Sequence, residues 1–216
     1  FFLLIFFFII FSTYNFNEKK QNLSIIFPIQ EIIIEGTYAV DVIKLKSELE
    51  FLRNTSLFYL KENKIITVVD KYNFISSIQL KKKYPNILKI FISEYVPVAT
   101  EVDDKKRYYL TKNGKKINYI DLKIFENLPV IFGSHKNFNS LYSELEKSNF
   151  KVNSIKAFYY FNIGRWDIVL KDGTTIKLPE NNYQKILMEI DSILNDPSFF
   201  KYKKLDYRVK DQLILQ

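Results

Sequence analysis

The chain of 216 residues has no cysteine, one histidine, five glycines and six prolines. Without cysteine it can form neither a disulfide framework nor a thiolate metal site, although that absence does not choose a redox compartment. The glycines, at 36, 114, 133, 164 and 173, all fall in predicted connections, which leaves no glycine-rich loop to cradle a phosphate. His135 follows Gly133 and Ser134 in a polar loop and reads as a solvated residue, with no serine or cysteine nucleophile marked as its partner. No HExxH motif and no close Asp/Asn series ending in glutamate is present, and Asp103-Asp104 reads as a solvated turn. These absences point to a protein that is not an enzyme and takes no metal, cofactor or small-molecule substrate. A carboxylate pair assembled by the fold from the 24 acidic residues is the remaining route to an envelope hydrolase.

A hydrophobic fraction of 47% excludes wholesale disorder. The formal charge of +8 comes from 32 basic and 24 acidic residues, and the joint abundance of Ile, Lys, Asn, Phe and Tyr fits an AT-rich genome better than selection for nucleic-acid binding. Two runs, Lys81-Lys82-Lys83-Tyr84 and Lys201-Tyr202-Lys203-Lys204, interleave cations and rings as a single-strand groove would. With the apolar run Phe1 to Phe11 read as a membrane anchor that leaves the rest outside the cytoplasm, they meet no nucleic acid, and they read as charged edges that discourage sheet pairing or attract anionic lipid.

Phe1 to Phe11 reads FFLLIFFFIIF and is followed by Ser12, Thr13 and Asn15. Eleven helical residues rise about 16 Å, half of a hydrocarbon core of about 30 Å. With no initiator methionine at Phe1, residues 1–14 are expected to be the C-terminal part of a transmembrane helix whose flank cannot be counted for orientation. A cleaved signal peptide is the competing reading, but Ser12 to Phe16 offers no small-x-small site. Residues 15–27 then form a polar juxtamembrane linker.

Folded structure is expected from residue 28. Ile29 to Glu35 is an isoleucine-rich strand ending at Gly36; Val42, Leu45, Leu49 and Leu52 recur at helical spacing; a weaker helix spans 61–72. Ile78 and Leu80, then Leu88, Ile90 and Ile92, alternate with polar residues across a turn at Tyr84-Pro85-Asn86, giving β-α-α-β-β. After Pro97 strands predominate, with two-residue hairpins predicted at Asn113-Gly114 and Asp172-Gly173. Two helical stripes interrupt them, Phe138/Leu141/Tyr142/Leu145 and Ile186/Leu187/Ile190/Ile193/Leu194. Leu205, Tyr207 and Val209 alternate with Asp206, Arg208 and Lys210, which predicts a terminal edge strand within 203–215. The fold class is α+β.

Pro85 to Ala99 reads PNILKIFISEYVPVA and resembles the end of the POTRA domain in the FtsQ/DivIB cell-division family, with Tyr95 where a basic residue is usual. The resemblance continues through Leu110 to Gly114, Leu128 to Gly133, Arg165 to Leu170, Gly173 to Pro179 and Leu205 to Arg208, with Thr111 in place of a common aspartate. It implies an N-terminal membrane anchor, a POTRA-like domain over 28–96, and a mostly antiparallel β domain with two helices over 97–216.

Function follows from the same resemblance. It implies a divisome scaffold in the bacterial inner membrane, single-pass, with its C-terminal region in the periplasm at the septum. Its implied partners are FtsB, which pairs with FtsL, bound by strand addition to the C-terminal edge, and other septal proteins through the POTRA domain. Carried over by position, Arg165, Trp166, Arg208, Val209 and Asp211 are the candidate partner contacts. The residues also leave open that Trp166 fills the core and that Arg208 merely pairs with Asp206 or Asp211. The alternative role is a POTRA-containing protein of outer-membrane assembly or secretion.

Overall fold

The computed structural model describes residues 25–103, 106–148 and 150–216. The expected membrane segment, and nearly all of the juxtamembrane linker, lie outside the described residues. Among the described residues no helix is long and apolar enough to cross a membrane.

The first sheet holds β1 (Glu31–Glu35), β2 (Ile75–Lys83) and β3 (Ile87–Glu94) in the order β1-β3-β2, with β1 parallel and β2 antiparallel to β3. Between β1 and β2 run helices α1 (Val42–Glu48) and α2 (Asn63–Val69), so the β-α-α-β-β order is observed. Asp41 starts α1 by accepting hydrogen bonds from the Ile43 and Lys44 amides at 2.9 and 3.1 Å, a cap typically worth ~1 kcal/mol. The helical spacing read through Leu52 is right for burial, but the backbone tightens to a 3₁₀ turn at Glu50–Leu52; Leu45, Leu49 and Leu52 all reach the core. Helix α2 is likewise shorter than the apolar pattern suggested.

Glu94, the acidic position of the recognised motif, explains how β3 is tied to the approach to α1. Its carboxylate accepts from the amides of Tyr38, Ala39 and Val40 at 3.3, 2.8 and 3.0 Å. Tyr95, where a basic residue is usual, faces Lys115 Nζ 3.8 Å from its ring centroid, so the cation is supplied by the neighbouring chain segment.

The second sheet has nine strands, in the order β12-β11-β10-β9-β8-β7-β4-β5-β6. They are β4 (Pro97–Asp103), β5 (Lys106–Thr111), β6 (Lys116–Asn118), β7 (Val130–Phe132), β8 (Ile155–Phe161), β9 (Arg165–Leu170), β10 (Thr175–Lys177), β11 (Lys204–Asp206) and β12 (Ile214–Leu215). Five of its pairings are antiparallel, and β4-β7, β7-β8 and β10-β11 are parallel.

Helices α3 (Phe138–Lys147) and α4 (Tyr183–Asn195) cover one face, where Phe138, Leu141, Leu145, Leu187 and Ile190 pack with Phe158, Trp166, Ile168 and Leu205. The other face is covered at its β5-β6 end by the first domain. Tyr109 and Ile117 join the first domain's core there, while Leu110, pointing the opposite way, packs under the helices.

Both hairpin glycines sit where predicted, but the loops contain three residues. Thr111 N bonds to Lys115 O and Gly114 N to Thr111 O; Leu170, Gly173 and Thr174 repeat the pattern. A type I turn followed by a residue with positive φ produces this loop, and φ is +79° at Gly114 and +89° at Gly173. Thr111 keeps its turn without the family's aspartate, since its hydroxyl accepts from the Lys115 amide at 3.1 Å.

Phe74 holds the two parts together. It is 2% exposed, its ring lies 5.7 Å from Tyr109 edge-on and 6.0 Å from Phe125 in a stack, and Tyr109 and Phe125 are 5.2 Å apart. Phe74→Ala is expected to lower unfolding free energy by about 3–5 kcal/mol, read from the urea midpoint, because its cavity opens at the junction of both cores. A loss below about 1 kcal/mol would contradict the seam described here.

Candidate functional site

The C-terminal sheet edge is built from short strands whose side chains alternate between two faces. In β9, Trp166, Ile168 and Leu170 point into the helix-covered core, which turns Arg165, Asp167 and Val169 to the opposite face. The registers of six strands align one row on that face: Phe132, Tyr159, Asp167, Lys177, Asp206 and Ile214. At one end the Phe132 and Tyr159 rings stack 4.8 Å apart and remain exposed. The other end reaches the edge strand.

Two carboxylates of this row are buried, Asp167 at 6% and Asp206 at 4% exposure. Arg208 grips Asp206 through Nε, at 2.8 and 3.0 Å from the two carboxylate oxygens, and Nη2 at 2.5 Å, while its amide donates to the same group at 3.1 Å. Arg165 Nε lies 3.3 Å from Asp167 Oδ1, an ion pair without the direction of a hydrogen bond, and its guanidinium also sits 4.2 Å from the Phe161 ring centroid. Burial pushes the Asp167 carboxyl up, against the opposing pull of Arg165, Lys177 and Arg208. Asp206 moves the other way, held below the usual carboxylate range chiefly by the Arg208 hydrogen bonds. Three cations thus surround two carboxylates, leaving an excess of positive charge beside the edge.

The chain beyond Asp206 differs from the predicted continuous strand. Tyr207 N still bonds to Lys177 O, but the backbone then reverses through Asp211, at φ +57°, and returns as β12 antiparallel to β11. The apolar alternation at Leu205, Tyr207 and Val209 was therefore misleading: Asp211 tolerates the left-handed conformation and makes a turn of the polar segment. Val209, 45% exposed, and Asp211 lie on this reversal and outside any strand. Arg208 lies there too, engaged with Asp206, as one of the open readings had it. Trp166 is 1% exposed and packs against Phe138, Phe158 and Tyr160, so its indole fills the core and is no surface contact.

What the reversal creates is an edge of two residues. Gln216 and Lys204 exchange main-chain hydrogen bonds at 2.9 and 3.1 Å. The alternation of an antiparallel ladder then turns the main-chain groups of Leu213 and Leu215 away from β11. Their side chains pack against the helix-covered core, while Ile214 ends the charged row.

A second cluster was missed in the sequence. Glu101, 2% exposed on β4, accepts from the His135 amide at 3.0 Å, meets His135 Nδ1 at 2.9 Å, and lies 3.0 Å from Lys116 Nζ. His135 is therefore pinned to a buried carboxylate instead of being simply solvated. The exposed Asp103 also pairs with Lys116, at 2.8 Å. Among the described residues no three His, Cys, Asp or Glu side chains are grouped so as to hold a metal ion.

Residues 27–95 match the family model of the FtsQ-type POTRA domain, and residues 99–208 match that of the C-terminal part of cell division protein FtsQ/DivIB. "Cell division protein FtsQ" of Rickettsia typhi is 27% identical over 194 residues, covering 88% of this chain and 73% of the relative. The protein of the same name in Rickettsia prowazekii is also 27% identical, over 88% of this chain and 72% of its own length. That of Rhizobium meliloti is 19% identical, over 88% and 63%.

Asp206→Asn is expected to cost about 1 kcal/mol at pH 7, a charge-assisted pair discounted for the exposure of Arg208. Because the folded-state pKa of Asp206 is depressed, its contribution is complete above the ordinary value of 3.8 and is lost as pH falls through the lower folded value. Urea unfolding at pH 7 and pH 3 should show the gap between native and variant closing in acid. A gap independent of pH would contradict the role given to the Arg208 pair.

Proposed function

From the premise that the chain belongs to the FtsQ/DivIB family of cell-division proteins, we propose that it is a divisome scaffold that binds the FtsB/FtsL subcomplex at the septum. It is anchored in the inner membrane by a single span that includes residues 1–14, with the remainder in the periplasm. A POTRA domain over 28–96 contacts other septal proteins, and the β domain over 97–216 carries the FtsB/FtsL edge. The reading requires no catalytic residue, because its work is to hold partners together.

The single observation that supports this most is the outward-facing main chain of β12. An extended segment of FtsB adds there as a further strand, bonding to Leu213 and Leu215, and its alternate side chains give specificity. The cation excess at Arg165, Lys177 and Arg208 favours an acidic residue on that segment, and the exposed Val209 borders the same end. In this arrangement Arg165 and Arg208 act through charge and Asp211 through shaping the turn that presents β12.

Leu215→Pro tests the edge directly. It deletes an outward N–H that β11 does not use, whereas Leu215→Ala loses similar packing and keeps the donor. Titrated with the periplasmic segment of FtsB, the proline variant should bind at least about tenfold more weakly than the alanine variant, a lost main-chain bond together with the clash of the ring. Equal affinities in two variants of matched melting temperature would sink the strand-addition reading.

A further inference from the structure

The polypeptide enters the first domain across a group of large apolar side chains that the core does not use. The Ser56 hydroxyl donates to Ile26 O at 2.7 Å and the Leu57 amide to Phe27 O at 2.8 Å, which lays the backbone at Ile26 and Phe27 along Ser56 and Leu57, the residues that lead into Phe58 and Tyr59. Phe27 lies edge-on to Tyr84 at 5.0 Å, and Phe58 to Tyr59 at the same separation. Exposure is 41% at Phe27, 51% at Tyr84, 56% at Phe58 and 68% at Tyr59. Phe27 has φ 52°, a conformation that bulky side chains rarely adopt, and it turns this ring to Tyr84 while Ile29 and Leu57 take the places in the core.

Lysines border the patch. Lys82 Nζ donates to Phe58 O at 3.3 Å from the core-side face of β2, the face of Ile78 and Leu80, and strand alternation puts Lys81 and Lys83 on the opposite face of the same strand end, next to Tyr84. Among the described residues no carboxylate lies within 4.0 Å of these three ammonium groups, although Lys89, on the neighbouring strand, is paired with Glu35 at 2.7 Å. Lysines on both faces of a strand end that also carries exposed aromatic rings match the interface of a bilayer, where rings settle at headgroup depth and ammonium groups meet anionic lipid.

Position in the chain identifies the occupant. The apolar run Phe1 to Phe11 is separated from Ile25 by residues 12–24, which include Lys19 and Lys20. Even fully extended, that segment reaches only about 45 Å. With the run in a membrane, this end of the first domain stays within reach of the same surface, an advantage no soluble partner has.

We propose that this end of the first domain, with the rings of Phe27, Phe58, Tyr59 and Tyr84 and with Lys81 to Lys83 on the two faces of β2, docks on the surface of an anionic bilayer. The inference rests on the membrane-anchored reading above and adds a second, reversible contact that orients the first domain against the lipid.

The absence of cysteine makes the test clean. In the whole 216-residue chain, Tyr59→Cys is labelled with an environment-sensitive fluorophore and reconstituted into phosphatidylcholine vesicles with or without phosphatidylglycerol. Met188→Cys, on the exposed side of α4, is the reference site. The proposal expects the label at 59, in anionic vesicles, to brighten several-fold and be quenched by nitroxide lipids. The label at 188 should stay open to an aqueous quencher. Combined Lys81→Glu, Lys82→Glu and Lys83→Glu should return position 59 to water without shifting the melting transition.

Vesicle sedimentation separates the two possible failures. A chain that fails to sediment with vesicles removes the anchored reading and this proposal with it. A chain that sediments while position 59 remains as aqueous as 188 overturns the docking face alone. Shielding at 59 without nitroxide quenching would mean that protein, and not lipid, covers the patch, which also overturns the proposal.

Discussion

Every open sheet ends in strands whose outer main-chain donors and acceptors have no partner within the sheet, and the described residues form two such sheets. Three of their edges, β2, β6 and β12, are treated differently. In the small sheet β2 is a nine-residue edge that carries Lys81, Lys82 and Lys83, charges that hinder uncontrolled pairing with another strand. In the large sheet β6 has only three residues, its Ile117 buried against the first domain and its Lys116 tied to Glu101 and Asp103. The edge at β12 is shorter still and has no such tie, yet it is braced from within by Leu213 and Leu215 packing on the core.

Bracing a short edge takes more than strand propensity. The reversal through Asp211 has to return the chain to β11, and Asp206, beside it, is buried with its charge balanced by Arg208. Asp167 extends the same arrangement one strand further in, at a higher electrostatic cost because burial outweighs its cations. Removing one partner from such a pair leaves an uncompensated buried charge, so the row defines the edge's shape as well as its charge.

Elements with a repeating apolar pattern were legible in the sequence: the strands of the small sheet, and α3 and α4, where apolar side chains recur at the helical period. Local backbone geometry was less so, because Asn-Gly and Asp-Gly mark a turn without fixing whether two or three residues form its loop. The terminal segment departs from its sequence pattern for a related reason. Alternation across Leu205, Tyr207 and Val209 satisfies a strand pattern, and only Asp211 hinted at the reversal. Of the candidate site residues, Arg165 and Arg208 do flank the charged row, while Trp166 belongs to the core, the burial its neighbours Ile168 and Leu170 share. The Glu101-His135 contact spans 34 residues and leaves no local signature, so it could emerge only from the folded chain.

In the proposed function the outward main chain of β12 is the surface that a partner strand completes. Residue-resolved amide hydrogen exchange, with and without the periplasmic segment of the proposed partner FtsB, examines it most directly. Strand addition predicts strong new protection at the amides of Leu213 and Leu215, with little change at Lys203 and Lys204, which already donate to Gln216 O. Binding that leaves Leu213 and Leu215 exchanging as in the free protein would contradict it.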